Sequence, residues 1–327
     1  MQIVIPDDYQ DLVHTLACFT RLAGHEVVRH REPARDDDQL VERLRNADVV
    51  VAVRERTSLT RSVISRLPNL KLVSLVGRHS RAIDMEACTE RRILVTHGTS
   101  ASPVSPAELT WALILASRRH IADEVQRMKQ GEWPHTLSHR LRDSTLGIFG
   151  LGLIGRLVAE AGRGFGMRVL VYGREQSAIQ ARALGYAVAA SKDDLFERSD
   201  VLTLTVRLNE HTRGIVGAAD LARMKPTALI VNTARAELIA AGALVDALKR
   251  GRPGFGAVDV YEQEPIMDGK HPLLALPNAT CTPHLGWAEY ETWELYFGEA
   301  FDNIVAFAAG KPTNVANPQA LTARGQA

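Results

Sequence analysis

Cysteine is scarce. There are three in 327 residues, Cys18, Cys88 and Cys281, far apart and odd in number. No C-x-x-C pair or His/Cys zinc spacing is present, which argues against a disulfide framework and against any metal site. Three unpaired thiols fit a reducing compartment, so a cytoplasmic protein is expected. Charge of one sign is also missing: 39 Lys+Arg stand against 38 Asp+Glu, for a formal net charge of +1. That balance leaves no electrostatic footprint for nucleic acid, although a local basic site for a small anion remains open. No long hydrophobic run exists. The most apolar helical stretch, Leu109 to Ala116, stops at Arg118-Arg119, far short of the roughly 20 residues a membrane span needs. The opening residues, Met1 to Asp8, lack a basic region followed by an apolar one, so no signal peptide is expected. What is present is average globular composition, 46% hydrophobic and 24% charged. At about 150 residues per domain, the length predicts two domains.

Short apolar runs alternate with amphipathic stretches. Gln2–Ile5, Glu26–Val28, Asp48–Val53, Lys71–Val76 and Ile93–Thr96 read as buried strands, with helical spacing at Leu12, Leu16, Phe19 and at Leu40, Leu44 between them. Such alternation predicts a parallel sheet covered by helices. Gly98 to Pro103 reads as a linker, and Ser105-Pro106-Ala107-Glu108 as a capping box that opens a helix. A second series starts at Thr145, with strands Thr145–Phe149, Arg168–Tyr172, Val201–Val206, Ala228–Asn232 and Gly256–Val260. Trp293, Tyr296, Phe297, Ala300, Phe301, Ile304, Val305 and Ala308 repeat at three and four and predict a long last helix. Gly310 and Pro312 stop it, and the polar tail from Asn317 is expected to fray.

Gly150-Leu151-Gly152-Leu153-Ile154-Gly155 follows an apolar strand and opens a helix bearing Leu157, Val158, Ala161 and Phe165. In that setting G-x-G-x-x-G is a dinucleotide fingerprint. The first glycine permits the tight turn, the second lets backbone approach a pyrophosphate, and the third lets the helix pack on the sheet. The helix N-terminus adds unpaired N–H groups and partial positive charge. The next strand ends Tyr172-Gly173-Arg174-Glu175, with Gly173 where an acid for the NAD ribose is expected. Arg174 suits the 2′-phosphate of NADP, whereas Glu175, one residue later, could reach a ribose hydroxyl. The cofactor is therefore NAD or NADP, with NADP slightly favoured.

Three later segments each follow a predicted strand: Val231-Asn232-Thr233-Ala234-Arg235, Asp259 to Pro265, and Thr282-Pro283-His284-Leu285-Gly286. In an open α/β sheet such loops line the ligand crevice. Taken in order, GLGLIG, MKPTALIVNTAR, AVDVYEQEP and TPHLG make nearly the whole chain resemble the D-isomer-specific 2-hydroxyacid dehydrogenases. That family includes 3-phosphoglycerate dehydrogenases and glyoxylate/hydroxypyruvate reductases. The resemblance implies an α/β protein of two Rossmann-like domains with a cleft between them. Residues 1–100 and 288–327 would form a flavodoxin-like substrate-binding domain, and 101–287 a doubly wound dinucleotide-binding domain. It implies Arg235, Glu264 and His284 as the catalytic set, and a 2-hydroxy or 2-keto acid as substrate. Leu153 and Ile154 match pyrophosphate-contacting positions, the family often having Arg where Leu153 stands. Val206, Arg207, Thr233, Ala234, Asp259 and Gly286 complete the implied cofactor contacts, and Arg54, Gly77, Arg78, His79 and Arg235 those of the substrate.

The chemistry is consistent with those types. Histidine titrates near neutrality and suits proton transfer to a carbonyl oxygen. A nearby carboxylate favours the imidazolium, and arginine grips a carboxylate with two parallel N–H groups. One stretch departs from the family. Gly77-Arg78-His79-Ser80-Arg81-Ala82-Ile83-Asp84 stands where G-x-G-x-D-N-I-D is usual, and only Gly77 and Ile83-Asp84 hold. A larger or more anionic substrate is one consequence. The segment from Ile121 to Arg142, with Trp133 and Pro134, lies where the family's dimer arm is found, so a homodimer through the nucleotide domain is expected. No regulatory domain is expected after the last helix. A nucleotide-sensing, corepressor-like binding protein on the same fold is the alternative to an enzyme.

Overall fold

The computed structural model describes residues 1–78 and 80–322. The chain divides into two compact units, one of Met1–Ala101 with the segment from Glu289 onward, the other Ser102–Ala288. No helix among the described residues is long and apolar enough to cross a membrane.

In the first unit, β1 (Gln2–Ile5), β2 (Glu26–Arg29), β3 (Val49–Val53), β4 (Leu72–Val76) and β5 (Leu94–Thr96) form one parallel sheet. The order is β2-β1-β3-β4-β5, the flavodoxin-like arrangement with its reversal between β1 and β3. All of β3 and β4 is buried, as expected of strands covered on both faces. One face packs on Leu40, Leu44, Val63 and Ile64. The helix Tyr290–Ala308 lies along β4 and buries Trp293, Phe297, Ala300, Phe301 and Ile304. The Ser74 hydroxyl in β4 donates to the Ala300 carbonyl at 2.8 Å.

Two expectations fail in this unit. The helical spacing at Leu12, Leu16 and Phe19 produces not an α-helix but two 3-10 turns, Val13–Thr15 and Ala17–Leu22. The reason is competition for N–H groups: Asp8 accepts from Leu12 and Val13, and Glu294 from Ala17 and Cys18. The tail from Asn317 does not fray where it begins. Asn317 is buried, its Oδ1 accepts from Val95 N at 2.8 Å, and its Nδ2 donates to Ile93 O at 2.9 Å.

In the second unit, β6 (Thr145–Phe149), β7 (Arg168–Tyr172), β8 (Ala187–Val188), β9 (Val201–Leu204), β10 (Leu229–Asn232), β11 (Phe255–Val258) and β12 (Ala279–Cys281) form a parallel sheet of order β12-β11-β10-β9-β6-β7-β8. Strand order reverses between β6 and β9, the doubly wound pattern. The edge strands β8 and β12 have two and three residues, too short to leave a sequence alternation. β9 stops at Leu204 and β11 at Val258. Thr205-Val206 and Asp259-Val260, expected as strand, are therefore loop. The helix Val104–Arg118 has Pro103 as its N-cap, with no side-chain cap, so the expected Ser105 capping box does not form. Pro106 falls inside its first turn, where no intrahelical N–H bond is forfeited.

Candidate active site

Residues that follow parallel strands of one sheet share its carboxyl edge. In the second unit that edge gathers the glycine turn after β6, Gly173 to Glu175 after β7, Val206 and Arg207 after β9, Thr233 to Arg235 after β10, and the loop from Asp259 after β11. Gly150 has φ +95°, and a Cβ there would sit 2.6 Å from Val206 Cγ1. Only glycine fits both demands. A Cβ at Gly155 would run into the Gly150 carbonyl oxygen, so the third glycine is the one that seats the helix Leu153–Gly164. In front of Gly152 nothing lies within 4 Å, and the helix carries no side-chain cap. Open space before uncapped N–H groups fits a pyrophosphate. Leu153, its first residue, is exposed, and Ile154 is half-buried.

At the end of β7 the missing acid has a packing counterpart. A Cβ at Gly173 would come within 2.9 Å of Ser177 Oγ, and that oxygen accepts from Leu151 N at 3.3 Å. Arg174, Glu175 and Arg207 are exposed.

Two members of the expected catalytic set, His284 and Glu264, are drawn together from separate loops. His284 Nδ1 meets Glu264 Oε2 at 2.5 Å, and the other Glu264 oxygen accepts from Tyr261 N at 2.8 Å. Burial raises the Glu264 pKa, but the hydrogen bond and charge of His284, then the Tyr261 amide and the Arg235 charge, outweigh it and hold it below the ordinary value. His284 has φ +52°, a left-handed conformation uncommon for a side chain with Cβ. Its Nε2 makes no hydrogen bond among the described residues, and its side chain is 19% exposed. The Arg235 turn is braced from below: Asn232 Nδ2 donates to Arg235 O at 2.9 Å, and Asn232 Oδ1 accepts from Ala234 N at 3.1 Å. Thr233 shares a hydroxyl–hydroxyl bond of 2.8 Å with Thr110.

Asp259 explains how a strained histidine is held. It is wholly buried. One oxygen accepts from the Thr282 hydroxyl at 2.6 Å and Leu285 N at 2.7 Å, the other from Gly286 N at 2.8 Å. Those three donors bracket His284 on both sides. Burial pushes its pKa up, opposed by the same hydrogen bonds, so the two carboxylates of this site shift in opposite directions. Asp259 is an expected cofactor contact, and its side-chain partners in the protein are all in the histidine loop.

Of the residues expected at the substrate, Arg54, Gly77 and Arg78 belong to the first unit and Arg235 to the second. Arg54 follows β3 and Gly77 follows β4, at neighbouring positions because Val53 pairs with Val76. Arg54 is left-handed, φ +53°. Its guanidinium lies over Gly77, where a Cβ would sit 2.8 Å from Nη1. Arg78 is exposed. Ser80 Oγ donates to the Arg54 carbonyl at 3.0 Å. His79, also expected here, lies outside the described residues. Elsewhere in this unit Asp8, Asp11 and His14 place ligand-type atoms within 4.8 Å, but Arg29 binds both carboxylates and Arg31 binds Asp11.

Residues 111–286 match the description D-isomer specific 2-hydroxyacid dehydrogenase, NAD binding domain. Over 272 residues the chain is 37% identical to a glyoxylate reductase of Aeropyrum pernix, covering 80% of this chain and 81% of that one. The chain belongs to the D-isomer specific 2-hydroxyacid dehydrogenase family. A D-3-phosphoglycerate dehydrogenase of Methanocaldococcus jannaschii is 40% identical over 76% of this chain, which spans only 47% of that relative. A crystal structure from Ralstonia solanacearum, provisionally described as a D-3-phosphoglycerate dehydrogenase, superposes with a TM-score of 0.94 at 50% identity, covering 98% of both chains.

Family membership supports NAD-dependent oxidoreductase activity on 2-hydroxyacids, and enzyme names among the relatives favour an enzyme over a sensing protein. Two residues that support these loops, Tyr261 and Thr205, are not among the residues expected from the sequence. Tyr261 hands its backbone N–H to Glu264 and its hydroxyl to Thr282 O at 3.0 Å. Thr205 closes the glycine turn by donating to Gly150 O at 2.5 Å. The signal for Tyr261 was its place three residues before Glu264; for Thr205 none existed in the sequence.

Proposed function

We propose that the protein reduces a 2-keto acid, or oxidises the matching D-2-hydroxy acid, with His284 as the proton donor and acceptor. The carrying observation is the 2.5 Å contact of His284 Nδ1 with Glu264, which orients the ring and leaves Nε2 for the substrate oxygen. A bound nicotinamide supplies or accepts the hydride. Glu264 fixes the orientation of the ring, and Asp259 keeps the loop in place during the transfer. Arg235 pairs with the substrate carboxylate. The first unit is read as substrate-binding. Its Arg54 and Arg78 support a substrate with a second anionic group, a phosphate or another carboxylate. A panel of 2-keto acids, with and without that group, tests the reading with both reduced nucleotides. No turnover on any member overturns it.

NADPH is read as a cofactor used at least as well as NADH. Gly173 presents no carboxylate to repel a 2′-phosphate, and Arg174 and Arg207 make no ion pair among the described residues. A homodimer is proposed through the segment after the helix Val104–Arg118. Val125, Met128, Trp133 and Leu137 are exposed there, Trp133 at 79% and Leu137 at 95%, and exposed apolar groups of this kind mark association surfaces. A monomer mass by light scattering at micromolar protein refutes the dimer.

A further inference from the structure

The first crossing of the chain from one unit to the other follows β5, at Ala101–Ser102. Just before it, Thr99 and Ser100 converge on one carboxylate. Glu299 Oε2 accepts from Thr99 N at 3.1 Å. Oε1 accepts from the Thr99 hydroxyl at 2.8 Å, Ser100 N at 3.1 Å and the Ser100 hydroxyl at 2.7 Å. One helical turn later, Asn303 Nδ2 donates to His97 O at 3.1 Å, so residues 97–100 lie along one face of the helix Tyr290–Ala308. That helix begins directly after the second crossing, at Ala288–Glu289. Both crossings are thereby rooted on one rigid element.

The same root reaches the substrate-side loop. Gly98 N donates to Gly77 O at 2.8 Å. A Cβ at Gly98 would lie 2.6 Å from Glu299 Oε2 and 3.3 Å from Gly77 O, so the backbone is clamped between carboxylate and loop. Gly77 in turn lies under the Arg54 guanidinium. Glu299 stays ionised at neutral pH: burial raises its pKa, but the bonds from Ser100 and Thr99 outweigh it and lower it.

We propose that Glu299 is a positioning residue for substrate capture, holding the root of the crossing and the Gly77 loop as one hydrogen-bonded block. The inference rests on the reading of the Gly77 loop as a substrate contact. A block of this kind ties the Gly77 loop to the root of the crossing through shared hydrogen bonds.

The test uses the full chain and three variants. Glu299→Ala leaves the Thr99 and Ser100 amides without their acceptor. Glu299→Gln can accept from both amides through its oxygen while its NH₂ donates to the hydroxyls, so it serves as the rescue. Gly98→Ala displaces the carboxylate by steric contact and serves where Glu299→Ala does not fold. Backbone hydrogen exchange is read at Thr99 and Ser100 and at Gly77, Arg78 and Ser80, and KM is measured for keto acid and for nucleotide. In Glu299→Ala, exchange is expected to rise about tenfold at both segments. The keto-acid KM rises several-fold, the nucleotide KM stays within twofold, and Glu299→Gln restores both. Faster exchange at Thr99 and Ser100 alone overturns the proposal, as does an equal rise in both KM values. Faster exchange at both segments with an unchanged keto-acid KM overturns the substrate reading of the loop and leaves the hydrogen-bonded block standing.

Discussion

At the carboxyl edge of the seven-stranded sheet, polar groups are committed to one another. Asp259 serves three donors, Glu264 two, and Asn232 braces the Arg235 turn at both of its ends. At the same edge of the five-stranded sheet, Arg54 lies over a glycine and Arg78 stands exposed, in a stretch that departs from the family pattern. On the proposed reading the first edge carries proton transfer, which tolerates little misplacement, so its groups are locked by neighbours. Choice among substrates needs only a different set of charges on a similar backbone, and loops can change without disturbing a core.

The sharpest way to break this contrast is His284→Ala. Turnover should fall by about 10²–10⁴-fold, while nucleotide binding, measured by fluorescence titration, is retained. Turnover within a few-fold of the parent would remove His284 as the acid. Next comes Glu264→Gln, read by denaturant unfolding across pH. The native pKa of Glu264 is lowered, so its contribution is present above the unfolded value of about 4.3 and is lost as pH falls through the native one. The variant should be less stable by about 1.5–3 kcal/mol at pH 7, and the gap should close in acid. A gap that persists unchanged at pH 2 contradicts an ionic origin.

Arg78→Ala addresses the other edge. It should raise KM about tenfold for a keto acid with a second anionic group, one charge-assisted contact being lost, and leave a monoanionic keto acid unaffected. Equal effects on both would show that Arg78 does not read the second group. The smallest effect is expected from Arg174→Ala. Exposed charges are screened, so kcat/KM for NADPH should fall only about threefold to tenfold, with NADH unchanged. A parent enzyme preferring NADH tenfold or more would assign the ribose to Glu175 instead.

Much of the first contrast was legible in sequence, because glycine spacing and the loops after Asn232, Val258 and Cys281 are local patterns. The details that escaped depend on partners remote in the chain. The turn at Ala17 is decided by Glu294, and Gly98 by Glu299. Asp259 is separated from Gly286 by 27 residues, so its clamp on the histidine loop is a tertiary fact. Ser105 followed by Glu108 satisfied a capping pattern, but the helix had already started at Val104. The polar tail misled for a related reason: asparagine reads as solvent-facing until a buried backbone is found that needs it.

That tail has a consequence for handling the protein. β5 is the outermost strand of its sheet, and Val315 bridges Thr96 while Ala316 N donates to Val95 O at 2.7 Å. Together with the Asn317 amide, these residues occupy hydrogen-bonding groups that would otherwise offer a template to another chain. A tag fused after residue 322 leaves this seal intact. Trimming back to Lys311 would uncover a strand edge ready to pair with its like, and loss of solubility would precede any loss of the active site.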